Sequence, residues 1–215
     1  MTVEYKKEFV HQILKWGKSN IRSYPWRDEI RPLNILIVEI FLQKTPADRV
    51  AERYSELINA FTLSIEELDP DFLKQKFTDL GLLKKIDWLI ETREFLQKNF
   101  NGIVPIEEKD LLKLPGVGRY TASAVRCFAY NQSVPLVDIN VMRVISRFFG
   151  FVSQKGRKGI DEMYKFLAGL VPNNCPKVFN YSLLDFGALI CKKEPLCANC
   201  PINSICKFFQ IKSIE

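Results

Sequence analysis

No run in this chain of 215 residues approaches the length needed to cross a bilayer, and its first residues, Met-Thr-Val-Glu-Tyr-Lys-Lys, hold no apolar signal segment. The expectation is an intracellular enzyme with no membrane partner. Internal repeats are absent, which sets solenoids and propellers aside, and so are low-complexity linkers. No long stretch alternates apolar with polar residues, so a half-buried sheet is not expected. Acidic excess is lacking too. Lys plus Arg number 31 against 25 for Asp plus Glu, a net charge of +6 that suits a polyanion partner without demanding one. Hydrophobic residues make up 47% of the chain, enough to core one or two compact domains.

What is present reads as helix almost throughout. Residues 4–17 are amphipathic, with Phe9, Ile13, Leu14 and Trp16 at helical spacing, and residues 34–44 are strongly apolar up to a stop near Pro46. Helical patterns continue over 47–61, 65–68, 70–80, 84–99, 160–170, 179–190 and 205–209. Between them stand Pro105, Pro115, Pro135, Pro172 and Pro195. The most informative segment is Leu-Pro-Gly-Val-Gly-Arg-Tyr at 114–120. Gly116 and Gly118 suit a sharp turn from a short helix at 107–114 into a second helix starting near Arg119, whose apolar face holds Ala122, Val125, Phe128 and Ala129. Amides along Gly116, Val117, Gly118 and Arg119, with the positive end of the second helix, form a surface that grips phosphate without reading a base. An ordinary glycine-rich turn between packed helices is the plainer alternative.

Two carboxylates stand out. Asp138 follows the apolar, strand-like run Val134–Val137, where it suits either capping of the helix at Val141 or chemistry in a dry setting. Glu39 has Ile35, Leu36, Ile37, Val38, Ile40, Phe41 and Leu42 as neighbours. Burial there would make it keep its proton longer, as a general acid must, although a structural Glu bonded to an amide or an arginine fits the same pattern. Of six cysteines, Cys191, Cys197, Cys200 and Cys206 form a C-x5-C-x2-C-x5-C array. In an intracellular chain such an array points to metal rather than disulfides. Four thiolates can close on one [4Fe-4S] cluster or one zinc ion, and a single Cys-x-x-Cys hook flanked by longer arms favours the cluster. Cys127, on the apolar side of the second hairpin helix, and Cys175, in a loop, stand outside the array.

Together these segments resemble the helix-hairpin-helix DNA glycosylase superfamily over roughly residues 10–210. The resemblance rests on the hairpin and on Val-Pro-Leu-Val-Asp-Ile-Asn-Val-Met-Arg-Val at 134–144, where Asp138 lies 20 positions after Gly118 and a helix with Arg143 and Arg147 follows. It rests also on Ile-Val-Glu-Ile-Phe-Leu-Gln-Lys-Thr at 37–45 and on Asp185-Phe186-Gly187-Ala188 ahead of Cys191. It implies an all-α fold of two helical lobes: 27–134 with the hairpin, and 1–26 plus 135–215 with the cluster loop, Asp138 falling at their junction. It also implies a monomeric base-excision-repair enzyme acting on double-stranded DNA that contains a mismatched or damaged base, with a [4Fe-4S] cofactor. The family's spacing is C-x6-C-x2-C-x5-C, so this chain is one residue short in its first cysteine loop.

The resemblance assigns roles residue by residue. Asp138 is the catalytic carboxylate, Asn140 caps or holds a phosphate, and Glu39 lines the base pocket. Tyr120 stands where strand-nicking relatives have a lysine, and a phenol forms no imine, which implies hydrolysis to an abasic site. Its ring also suits stacking on the extruded base, or plain packing at the helix start. Gln43 plugs the emptied stack and Leu82 wedges the opposite strand, where a surface Gln and a core Leu are the ordinary alternatives. Lys192 and Lys193 either touch phosphate or are simply solvated. Tyr120, the apolar Ile139 and the segments 45–47 and 144–150 lean toward thymine or uracil opposite guanine. The chain ends soon after Cys206, so the extra C-terminal domain of adenine glycosylases is not expected. The alternatives are adenine opposite guanine or 8-oxoguanine, an endonuclease III-type glycosylase with lyase activity, and a non-catalytic DNA-binding module.

Overall fold

The computed structural model describes residues 2–63, 65–81, 83–154 and 156–212. Among them every regular element is helical, as the all-α reading expects. The α-helices are α1 (Val3–Asn20), α2 (Pro32–Leu42), α3 (Ala47–Glu52), α4 (Tyr54–Phe61), α5 (Pro70–Lys76), α6 (Lys84–Phe100), α7 (Glu108–Leu111), α8 (Arg119–Phe128), α9 (Ile139–Phe149), α10 (Arg157–Ala168), α11 (Pro176–Leu189) and α12 (Lys207–Lys212). No helix among the described residues is long and apolar enough to cross a membrane. The chain divides into two compact units, Ser23–Asn131 and Met1–Arg22 together with Gln132–Glu215.

The unit of residues 23–131 is built around α2. Every residue of α2 from Asn34 to Phe41 is buried, as befits a helix apolar on all sides, and α3, α4, α6 and α8 pack against it. The Phe41 ring packs tilted against that of Phe61 at 5.8 Å and edge-on against that of Phe77 at 6.2 Å. The pattern over 47–61 is not one helix. It breaks at Arg53, which stands between α3 and α4 with φ −105° and ψ 4° and whose guanidinium donates to the Lys76 carbonyl at 2.8 Å. The pattern over 70–80 divides likewise into α5 and a tight turn at Thr78–Leu80. The first hairpin helix is a single turn, α7, which ends at Leu111 ahead of Pro115.

In the other unit the core gathers around α9. Val141, Val144, Ile145, Phe148 and Phe149 of that helix are buried against Phe9 and Ile13 of α1, Met163 and Leu167 of α10, and Phe179, Leu183 and Phe186 of α11. The Phe9 ring lies 4.6 Å from that of Phe148 and 4.9 Å from that of Phe149. Helices α1 and α11 approach closely at Gly17, where a Cβ would stand 1.8 Å from Ser182 Oγ. Among the described residues the strand-like run 134–137 has no partner strand. A buried side chain meets part of its backbone: Asn180 accepts from Leu136 N at 3.0 Å and donates to the Val134 carbonyl at 3.0 Å.

Candidate active site and nucleic-acid interface

Asp138 is the N-cap of α9, and its Oδ1 accepts from Val141 N at 2.7 Å. Its Oδ2 accepts from Asn140 Nδ2 at 3.1 Å. Such bonds ordinarily favour the ionised form. Burial nevertheless outweighs them and the Arg143 charge, and the Asp138 pKa lies above its usual value. Cap and desolvated carboxylate are therefore the same residue. Arg143 holds the arrangement from below. Its guanidinium donates to Asn140 Oδ1 at 2.7 Å, to the Gly187 carbonyl at 2.8 Å and to the Cys191 carbonyl at 2.7 Å. Gly187 permits that approach of α11, since a Cβ there would stand 2.9 Å from Asn140 Cβ. Beside the carboxylate, Ile139 is 72% exposed, an apolar side chain in solvent.

The hairpin is asymmetric. Gly116 has φ +74°, and a Cβ on it would stand 2.5 Å from the Trp88 ring. Gly118 has φ −97° and ψ 180°, with open space where a Cβ would go. The expectation that both glycines bend the chain is thus corrected: Gly116 alone does so. Gly118 is the exposed N-cap of α8 and offers no side-chain cap, so the first-turn amides have no partner within their own helix. Val117 is buried, and its amide donates to the Leu114 carbonyl at 3.1 Å, fixing the turn. Arg119 is exposed and stands 3.6 Å from Glu108, while Tyr120 is half-buried on the next position of α8. Gln43 is drawn to this hairpin, its Nε2 donating to the Gly116 carbonyl at 2.9 Å. Leu82 lies outside the described residues. Glu39 is 6% exposed, and burial pushes its pKa up to about 7 against the lowering influence of Arg27.

Cys191, Cys197, Cys200 and Cys206 line one cavity whose other walls include Val144, Phe148, Ile190 and Ile202. Burial, reinforced by the neighbouring thiols, raises Cys200 to about 11 and pushes Cys206 up as well. Among the described residues, no three His, Cys, Asp or Glu side chains are gathered closely enough to hold a single metal ion as they stand. Arg147, one turn beyond Arg143, donates to Cys191 Sγ at 3.6 Å and to the carbonyls of Lys192 and Lys193 at 2.5 and 2.8 Å. The side chains of Lys192 and Lys193 are exposed. Sequence reasoning missed Asn180, Lys85 and the bonding of Arg143. A glycine inside the apolar helix α11 was the one local signal of a close approach.

The helix-hairpin-helix motif family matches residues 99–128. A thymine/uracil-DNA glycosylase of Pyrobaculum aerophilum is 35% identical, with 97% of this chain and 94% of the relative covered. One of the same name from Methanothermobacter thermautotrophicus is 31% identical, over 97% of this chain and 96% of its own. An adenine DNA glycosylase of Buchnera aphidicola is 32% identical, but only 58% of it is covered. Among solved structures, a thermostable thymine-DNA glycosylase superposes with a TM-score of 0.90 at 30% identity, over 97% of this chain and 98% of that one. The chain belongs to the helix-hairpin-helix DNA glycosylase superfamily.

Proposed function

We propose that this protein is a monofunctional DNA glycosylase that extrudes thymine or uracil mispaired with guanine and hydrolyses its N-glycosidic bond, leaving an abasic site. The observation that carries the reading is Asp138, a carboxylate held by a helix N-terminus yet desolvated enough to raise its pKa. As the base departs, C1′ gains oxocarbenium character, which a fixed carboxylate stabilises while orienting the attacking water. Asn140 and Arg143 keep that carboxylate in place. Glu39, whose raised pKa of about 7 leaves much of it protonated below that pH, donates a proton to the leaving base. Tyr120 offers its ring to the extruded base and forms no imine. The uncapped first turn of α8, with Gly116, Gly118 and Arg119, anchors a backbone phosphate, a contact that positions without specifying. Gln43 fills the emptied stack with Leu82 opposite it. The enzyme acts inside the cell as a monomer on duplex DNA.

Cys191, Cys197, Cys200 and Cys206 would hold a [4Fe-4S] cluster. The donor set fits: four sulfurs face one cavity with apolar walls, and two of the thiols resist ionisation until a positive centre compensates them. When bound, the cluster supplies a cross-link that fixes the loop after α11, since breaking an N-glycosidic bond needs no electron transfer.

Thymine or uracil is favoured by the relatives matched over nearly their whole length. The adenine relative keeps adenine as the second reading. Single-turnover assays on duplexes with G·T, G·U, A·8-oxoguanine or thymine glycol separate the two. Excision confined to G·T and G·U is expected, and preferential release of adenine would overturn the assignment.

A further inference from the structure

A helix end leaves its last carbonyls without partners in the helix itself. At the end of α2 one of them, the Phe41 carbonyl, accepts from Lys85 Nζ at 2.9 Å. The same ammonium donates to Thr45 Oγ1 at 2.6 Å, and the Thr45 hydroxyl in turn donates to the Leu80 carbonyl at 2.9 Å. Lys85 is fully buried, at 0% exposure. No carboxylate among the described residues pairs with it, and burial alone lowers its pKa, to about 8. A buried charge without a counter-charge is costly, and an apolar side chain of similar length would fill the space without that cost. Its presence there calls for a reason beyond packing.

The reason lies in the two segments it joins. One runs from Gln43 to Thr45, with Lys44 at φ +58° and Gln43 reaching the hairpin at Gly116. The other runs from Leu80 through Gly81, at φ +67°, to the position of Leu82. The chain turns sharply at Lys44 and at Gly81, and neither residue lies in a helix, so side-chain bonds help fix the register of the two turns. Under the glycosylase reading, on which this inference rests, these segments carry the plug and the wedge. We propose that Lys85 is a positioning residue for base extrusion, its ammonium locking the Gln43–Thr45 turn through Thr45 to Leu80, two positions before Leu82 in the sequence, so that plug and wedge enter the duplex in register. Lys85 touches no reacting atom. It acts through Thr45 and through the carbonyl that closes α2.

Lys85→Met keeps the length of the side chain and removes the charge, and Thr45→Val removes the bridge while leaving the charge. Each is compared with the parent on a G·U duplex with 2-aminopurine beside the uracil, which reports extrusion by stopped-flow fluorescence. Expected for both variants are a 10- to 100-fold slower extrusion and excision, an unchanged Kd for undamaged duplex, and partial recovery in Lys85→Arg. The double variant is expected to lose no more than the worse single one, because both break one bridge. Thr45→Val keeps the test decisive even where Lys85→Met fails to fold. Parental extrusion rates in Thr45→Val, or losses matched by equal losses of undamaged-duplex binding, would overturn the positioning role and leave the glycosylase reading intact. No excision by the parent on any mismatch would overturn both.

Discussion

A carboxylate at a helix N-cap normally ionises with ease, because amides and the helix dipole favour its charge. Asp138 keeps the cap and still has a raised pKa, so desolvation is the larger effect. Asn caps a helix about as well as Asp. Asp138→Asn is therefore expected to keep the fold and bind lesion DNA like the parent, while excision falls by about 10²-fold or more. Binding by filter or anisotropy and single-turnover rates check this, and retention of a tenth of the activity would exclude Asp138 as the key carboxylate. Glu39 makes a prediction about pH. Its pKa rises from 4.5 in the unfolded chain to about 7 in the fold. The folded state thus holds the proton longer, and stability falls as pH rises between those values. Glu39→Gln should abolish that slope. It should gain about 3 kcal/mol at pH 8 relative to its difference at pH 4, because each pH unit separating the two pKa values is worth about 1.4 kcal/mol. Denaturant midpoints across that range measure it. As a general acid, Glu39 should also make excision fall as pH rises through about 7.

At the scale of elements, the two hairpin glycines separate folding from binding. Gly116→Ala meets the Trp88 ring and a positive φ, and is expected to cost about 1–3 kcal/mol of stability. Gly118→Val meets open space at an ordinary φ. It should leave the melting temperature nearly unchanged while weakening binding to matched and mismatched duplexes alike, because a branched side chain blocks a phosphate from the α8 amides. A loss limited to mismatches would mean that the hairpin reads the lesion. The hairpin, the apolar helix around Glu39 and the cysteine array were legible in the sequence because each is a local pattern. Their supports were not. Asn180 reaches across 44 positions to Leu136, Lys85 across 44 to Phe41, and Arg143 across 48 to Cys191. The break at Arg53 escaped periodicity because the apolar spacing runs on through it, and the Lys76 carbonyl that its guanidinium meets lies 23 positions away.

At the scale of the molecule, one helix links the proposed catalytic carboxylate to the cysteine loop. α9 begins at Asp138, and its Arg143 and Arg147 grip the chain at Cys191, Lys192 and Lys193. Under the proposed cluster reading, its loss should therefore be felt at the carboxylate. Cys200→Ser is expected to lower iron content and melting temperature, and to reduce excision more than binding as Arg143 loses its fixed carbonyl. Full excision by iron-free protein would detach the loop from the site. The central claim is hydrolysis without an imine, and its most direct test is the product formed on an end-labelled G·U duplex. The predicted result is an abasic strand that breaks only on later alkali or heat, with little enzyme–DNA adduct trapped by borohydride. Spontaneous strand cleavage together with strong borohydride trapping would contradict it.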